Sequence, residues 1–202
     1  MNEIADNNHA TKYFRALDVF ANGDYALCID DFLELSSAGD ARASLYAAII
    51  FDRGGSGVDQ NWVQARDAYE RSLTQCYLPA AALGLALLHY SGRGGAQDYA
   101  EAARLFSMIR ENAFSQIMLG IMNLKGRGFV PNEDHALNHF EHAWALGHPL
   151  GLKNAAIIRF HRGQLFRSVC DFIRSAGLIF WHYGVKKLPL IRSPMDRYDA
   201  YG

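Results

Sequence analysis

The chain is poor in cysteine, in net charge and in long apolar runs, and each shortage removes a class of protein. Three cysteines in 202 residues, Cys28, Cys76 and Cys170, are odd in number and far apart. That pattern fits reduced thiols in a cytosolic compartment better than a secreted disulfide framework. Twenty basic side chains against 21 acidic ones leave a net charge of −1. That balance lacks the basic excess that phosphate neutralisation demands, so no nucleic-acid partner is expected. No apolar run reaches the roughly 20 residues of a membrane-spanning helix. The first residues, Met1-Asn2-Glu3-Ile4-Ala5-Asp6, are polar and lack the basic and apolar regions of a signal peptide. The expected location is the cytoplasm.

Catalytic signatures are equally scarce. There is no nucleophile elbow and no Ser-His-Asp arrangement, and the acidic pairs Asp30-Asp31 and Glu133-Asp134 read as helix surfaces or helix starts. Gly92-Arg93-Gly94-Gly95 is followed by no Lys-Ser or Lys-Thr pair, so it reads as a turn and not as a phosphate cradle. Neither an enzyme nor a cofactor is expected.

What is present is a repeat. Gly92-Arg93-Gly94 is followed by Ala102 and Phe106; 34 residues later Gly126-Arg127-Gly128, Ala136 and Phe140 keep the same spacing. Gly55-Ser56-Gly57, Ala65 and Tyr69 stand 37 residues upstream. A period in the mid-thirties marks stacked helical hairpins. Cys28 and Phe32 extend the register at one end, and Ser168 and Phe172 at the other. The predicted fold is all-α, a right-handed α-α superhelix of about five hairpins near residues 10–39, 40–77, 78–112, 113–147 and 148–176. A tail, 177–202, follows. Within each unit the small residue (Cys28, Ala65, Ala102, Ala136, Ser168) is placed where the paired helices approach. The ring four positions on (Phe32, Tyr69, Phe106, Phe140, Phe172) is placed to plug the gap to the next unit. The second and third units are read as carrying two additional residues between Ala47 or Gly84 and the turn glycine.

The set Leu119-Gly120, Gly126, Gly128, Ala136, Phe140, Ala143 and Gly147 resembles the Sel-1-like repeat, a relative of the tetratricopeptide repeat. The likeness covers roughly residues 40–160 well and the flanking hairpins loosely; the paired cysteines of secreted members are absent. It implies an adaptor that holds other proteins together. Bacterial members are linked to signalling, envelope polysaccharide production and host interaction.

Four sets of residues are candidates for function. Asp52, His89, Asn123, Lys125, Lys153 and Arg159 lie on the first helices, which in such arrays line the concave face; their mixed charge suits a protein or peptide ligand. Arg53, Arg93, Arg127 and Arg162 fall at the inter-helix turns and form a basic edge suited to an acidic segment. His135, His139 and His142 share one helix face at a spacing that can ligate zinc or nickel, although a solvated or partner-facing helix is the favoured reading and no metal is assigned. The tail residues Leu178, Ile179, Phe180, Trp181 and Tyr183 form an apolar stretch followed by Lys186, Lys187 and Arg192. The stretch is read as a plug folded into the superhelix groove, as a protein interface such as a homodimer, or as peripheral membrane contact. The function expected is a non-enzymatic adaptor. A membrane-peripheral accessory factor of envelope polysaccharide or secretion machinery is the alternative, and a metal-binding module a weaker one.

Overall fold

Five of the helices begin where an Asp or Asn side chain satisfies a free N–H group of the first turn. Asp40 accepts from Arg42 N at 2.8 Å, Asn61 from Gln64 N at 3.1 Å and Asp98 from Glu101 N at 2.9 Å. Asn112 and Asn132 repeat the bond to Ser115 N and His135 N, each at 2.9 Å. Helices stop at glycines: Gly92 (φ 72°) and Gly126 (φ 68°) take the left-handed conformation at the C-caps of their helices. The computed structural model describes residues 2–180, with side chains from 8 to 179.

The result among the described residues is ten helices and no strand: α1 (Asn2–Asn22), α2 (Tyr25–Ser37), α3 (Ala41–Arg53), α4 (Trp62–Gln75), α5 (Pro79–Ser91), α6 (Tyr99–Met108), α7 (Ala113–Lys125), α8 (Glu133–Ala145), α9 (Pro149–His161) and α10 (Leu165–Phe180). They pack in sequence order as five hairpins, so the fold is an all-α solenoid. The first hairpin begins earlier than residue 10, because α1 extends to Asn2, and the proposed boundary at 177 falls inside α10.

The first helices of the four later units are all 13 residues long, so none of these helices carries the two additional residues. Counted from the helix start, Gly120 matches Ala48, Ala86 and Ala156, and Gly84 occupies a different site. Packing explains the offset. A Cβ on Gly84 would collide with the Tyr69 ring of the preceding unit, whereas one on Gly120 would lie 2.5 Å from the Phe140 ring of its own unit.

The core runs along the array as two clusters, one from α1 to α7 and a smaller one from α7 to α9. Cys28, Ala65, Ala102 and Ala136 are fully buried, and so are the rings of Phe32, Tyr69, Phe106 and Phe140. Phe32 stacks on Tyr46 of α3 with centroids 5.2 Å apart, which shows a ring of one unit bridging to the next. Phe172 departs from this pattern and is 50% exposed. It faces the side on which the described array ends, so no further first helix covers it.

Candidate functional site

Four of the six residues expected on an open concave surface are interior. Asp52, His89, Asn123 and Arg159 occupy the last turns of α3, α5, α7 and α9, and all four are buried. The helix face three or four residues before each turn is directed at neighbouring helices, not at solvent. His89 Nδ1 accepts from Arg66 Nη2 of α4 at 3.3 Å, and Asn123 Nδ2 donates to Leu119 O at 2.9 Å. Arg159 is 4% exposed and ties three helices together by pairing with Glu141 of α8 and Asp171 of α10. Burial, and then the Arg66 charge, hold the His89 imidazole below its usual pKa. Lys125 is exposed and Lys153 half-buried, so these two remain at the surface.

The turn arginines do not form one equivalent ladder. Arg53 is the last residue of α3 and Arg162 the C-cap of α9, whereas Arg93 and Arg127 follow the capping glycines. Their charge is directed inward to the preceding unit. Arg93 lies over the Trp62 ring at 4.9 Å, and Arg127 lies 5.4 Å from the Tyr90 ring and 5.3 Å from the Tyr99 ring. Arg162 instead meets Glu133 Oε2 at 3.3 Å and Asp134 Oδ1 at 2.7 Å. Trp62, Tyr99 and Glu133 are each the first residue of a second helix. The same device thus recurs three times, with a cation of one unit seated on the helix start of the unit before it.

Gly94 and Gly128 make this seating close. A Cβ on Gly128 would stand 2.5 Å from the carbonyl oxygen of Tyr99, and one on Gly94 would strike that of Trp62. Beside the seated arginines opens a cavity of about 260 Å³, whose lining combines the apolar Leu87, Phe114 and Met118 with Tyr90, Tyr99, Arg93, Arg127 and Asp52.

The histidine face does not converge on a point. His135 is exposed, while half-buried His139 donates from Nδ1 to Gln116 Oε1 at 2.8 Å. Burial lowers the His139 pKa, and the neighbouring His135 and His142 lower it further. Among the described residues no three His, Cys, Asp or Glu side chains are grouped to hold a metal ion. Of the tail set, Leu178 and Ile179 lie half-buried on α10; the Phe180 side chain, Trp181, Tyr183, Lys186, Lys187 and Arg192 lie outside the described residues.

A run of exposed apolar side chains among the described residues lies on α10 and α9. Phe166 is 85% exposed and Ile173 65%, and Leu165, Val169, Ile157 and Phe160 extend the patch. A groove of about 410 Å³ runs along it, floored by Ala156, Ile157, Val169 and Phe172. The period of three and four between Phe166, Val169, Phe172 and Ile173 is a sequence signal for one helix face, and such a face normally lies on a neighbour. No helix among the described residues is long and apolar enough to cross a membrane.

No family model matches the sequence, and no curated protein matches it. Among solved structures, a Sel1 repeat protein from Oxalobacter formigenes superposes on 82% of this chain and 68% of its own, with a TM-score of 0.70 and 17% identity. The chain has the Sel1-repeat fold. MamA of AMB-1 matches over 86% of this chain and 92% of its own, with a TM-score of 0.59 and 18% identity. So does c5321, a protective antigen present in uropathogenic Escherichia coli strains and displaying an SLR fold, at a TM-score of 0.54 and 15% identity. That match covers 86% of this chain, which spans 47% of the length of c5321. A Sel1-repeat array of this kind presents extended surface and suits protein–protein interaction.

Proposed function

We propose that the chain is a non-enzymatic adaptor, and that a partner protein lays the apolar face of a helix into the groove between α9 and α10. The observation that carries this reading is a plug left bare among the described residues: Phe172 is half exposed, whereas Phe32, Phe106 and Phe140 in register with it are fully buried. Inside the array Phe32 stacks on Tyr46 of the following unit's first helix, and the Tyr69 ring lies against Gly84 of the next one. The uncovered position is therefore helix-shaped and apolar, and contiguous exposed apolar surface marks association sites.

A photo-crosslinking residue at position 166 or 169 tests this in the native cell. Adducts that map to a helical segment of a different protein, and that disappear with Ile173→Asp, support the reading. Adducts confined to phospholipid, to a second copy of the chain or to residues 181–202 of the same chain would refute it.

A further inference from the structure

We infer that the cavity between the third and fourth units captures the free C-terminus of a peptide ending in an apolar residue, with Arg127 holding the terminal carboxylate. Arg127 is half-buried, and its guanidinium lies beside a pair of neutral rings that touch each other edge to face, 5.4 Å from the centroid of Tyr90 and 5.3 Å from that of Tyr99. It donates one hydrogen bond, from Nη1 to the Tyr90 hydroxyl, and no carboxylate of the described residues pairs with it. A guanidinium carries five N–H donors in a planar fork. The Tyr90 hydroxyl takes one of them, and the remaining donors suit the two oxygens of a carboxylate.

The contrast with Arg162 sharpens this. Arg162 uses its fork on Glu133 and Asp134, so its charge is already met within the chain. One unit earlier the corresponding helix start is Tyr99, which stacks but cannot neutralise. Arg93 adds a second cation to the same cavity, seated on Trp62. The other polar groups nearby are spoken for: Gln97 Nε2 donates to Tyr90 O at 2.8 Å, Ser91 Oγ donates to Leu87 O at 2.8 Å, and Asp52, the one carboxylate in the lining, is buried and, like Arg93, already has an interaction of its own, which leaves Arg127 as the cation open to a ligand.

The apolar part of the lining decides the ligand class. Leu87, Phe114 and Met118 give an apolar surface beside the cations, which a phosphate or a polyanion would leave unused. The volume of about 260 Å³ lies below the roughly 300–1,000 Å³ of sites that enclose whole drug-sized ligands. A terminal residue supplies both halves at this size: an apolar side chain for Leu87, Phe114 and Met118, and a carboxylate for Arg127. The site rests on the adaptor reading but lies away from the α9–α10 groove, so cross-linking at that groove can succeed or fail independently.

The test is an NMR titration of the nitrogen-15-labelled full chain with N-acetyl-leucyl-leucine, with the same dipeptide amidated at its C-terminus, and with inorganic phosphate. The Arg127 Nε–Hε resonance, assigned by its loss in Arg127→Lys, and the Tyr90 and Tyr99 ring signals are followed. The free acid should shift these signals saturably at millimolar concentration. The amide should bind at least about tenfold more weakly, the scale expected when a charge partner is removed. Equal response to acid and amide, no saturable response, or an equal response to phosphate would each overturn the inference. The comparison of acid with amide needs no variant and does not depend on Arg127→Lys folding.

Discussion

Replacing Gly128 with alanine, beside the matched change at Gly147, measures how closely one unit is seated on the next. Both glycines have positive φ, 75° and 89°. An L-residue in that region costs about 1–2 kcal/mol, so both variants share that loss. Only their surroundings differ. A Cβ at Gly147 meets nothing within 4 Å, whereas at Gly128 it lies 2.5 Å from Tyr99 O, 2.9 Å from Tyr99 C and 3.3 Å from Ala100 N. Those are backbone atoms at the start of α6, fixed by the bond from Glu101 N to Asp98, so they cannot retreat without opening the cap. Overpacking of this kind costs about 1–3 kcal/mol more. For a chain of this length that is an additional fall in melting temperature of roughly 2–12 °C. Thermal melts followed by circular dichroism, with urea titrations as a second measure, supply the comparison. If Gly128→Ala is no more destabilising than Gly147→Ala, the units are not seated as described.

Phe140→Ala should cost about 3–5 kcal/mol in urea unfolding, and Phe172→Ala about 1 kcal/mol, because one ring is enclosed and the other half exposed. Equal losses would mean that the C-terminal groove is covered in the isolated chain. The Cys28 thiol is pushed up to about 11 by burial and by the nearby Asp31, whereas Cys76 and Cys170 are exposed. At pH 8 a disulfide reagent should therefore label two thiols quickly and the third only on unfolding; three fast thiols would contradict the packing of α2. His89 and His139 have pKa values lowered in the folded chain, so the unfolded chain binds more protons below about pH 6.5. The stability they contribute is present above that pH and is lost as the pH falls toward their folded values. Urea midpoints between pH 7.5 and 5.5 should decline, and His139→Gln should flatten part of the slope. Asp171→Asn leaves buried Arg159 with Glu141 alone and should destabilise by about 3 kcal/mol, whereas Glu70→Gln on the exposed Arg66 pair should cost well under 1 kcal/mol, as salt-bridge-specific melts would show.

The repeat was legible because stacking imposes the same demands on every unit. Ala102 and Ala136 had to be small, Phe106 and Phe140 had to be rings, and Gly92 and Gly126 had to turn, so spacing alone revealed hairpins. Residues that serve neighbouring units were harder to place. Asp52, His89, Asn123 and Arg159 carry polar chemistry that suggests surface, yet their partners lie on other helices, as with Arg66 for His89 and Asp171 for Arg159. A single-helix reading cannot distinguish a polar side chain facing solvent from one facing another helix. The seating of the turn arginines is hidden for the same reason: the Trp62 and Tyr99 rings beside Arg93 and Arg127 are far away along the chain. The apolar signal of the C-terminal region was present, but it was assigned to residues beyond 177 when α10 already exposes Phe166, Val169 and Ile173.

The junction between Gly128 and Tyr99 has the same form as that between Gly94 and Trp62. Excising the 34 residues from 95 to 128 would thus bring together two ends made for each other, leaving a shorter array with both termini unchanged. Evolution or an engineer can therefore adjust the reach of such a scaffold by whole modules, while the face that meets the outside world at α10 stays the same.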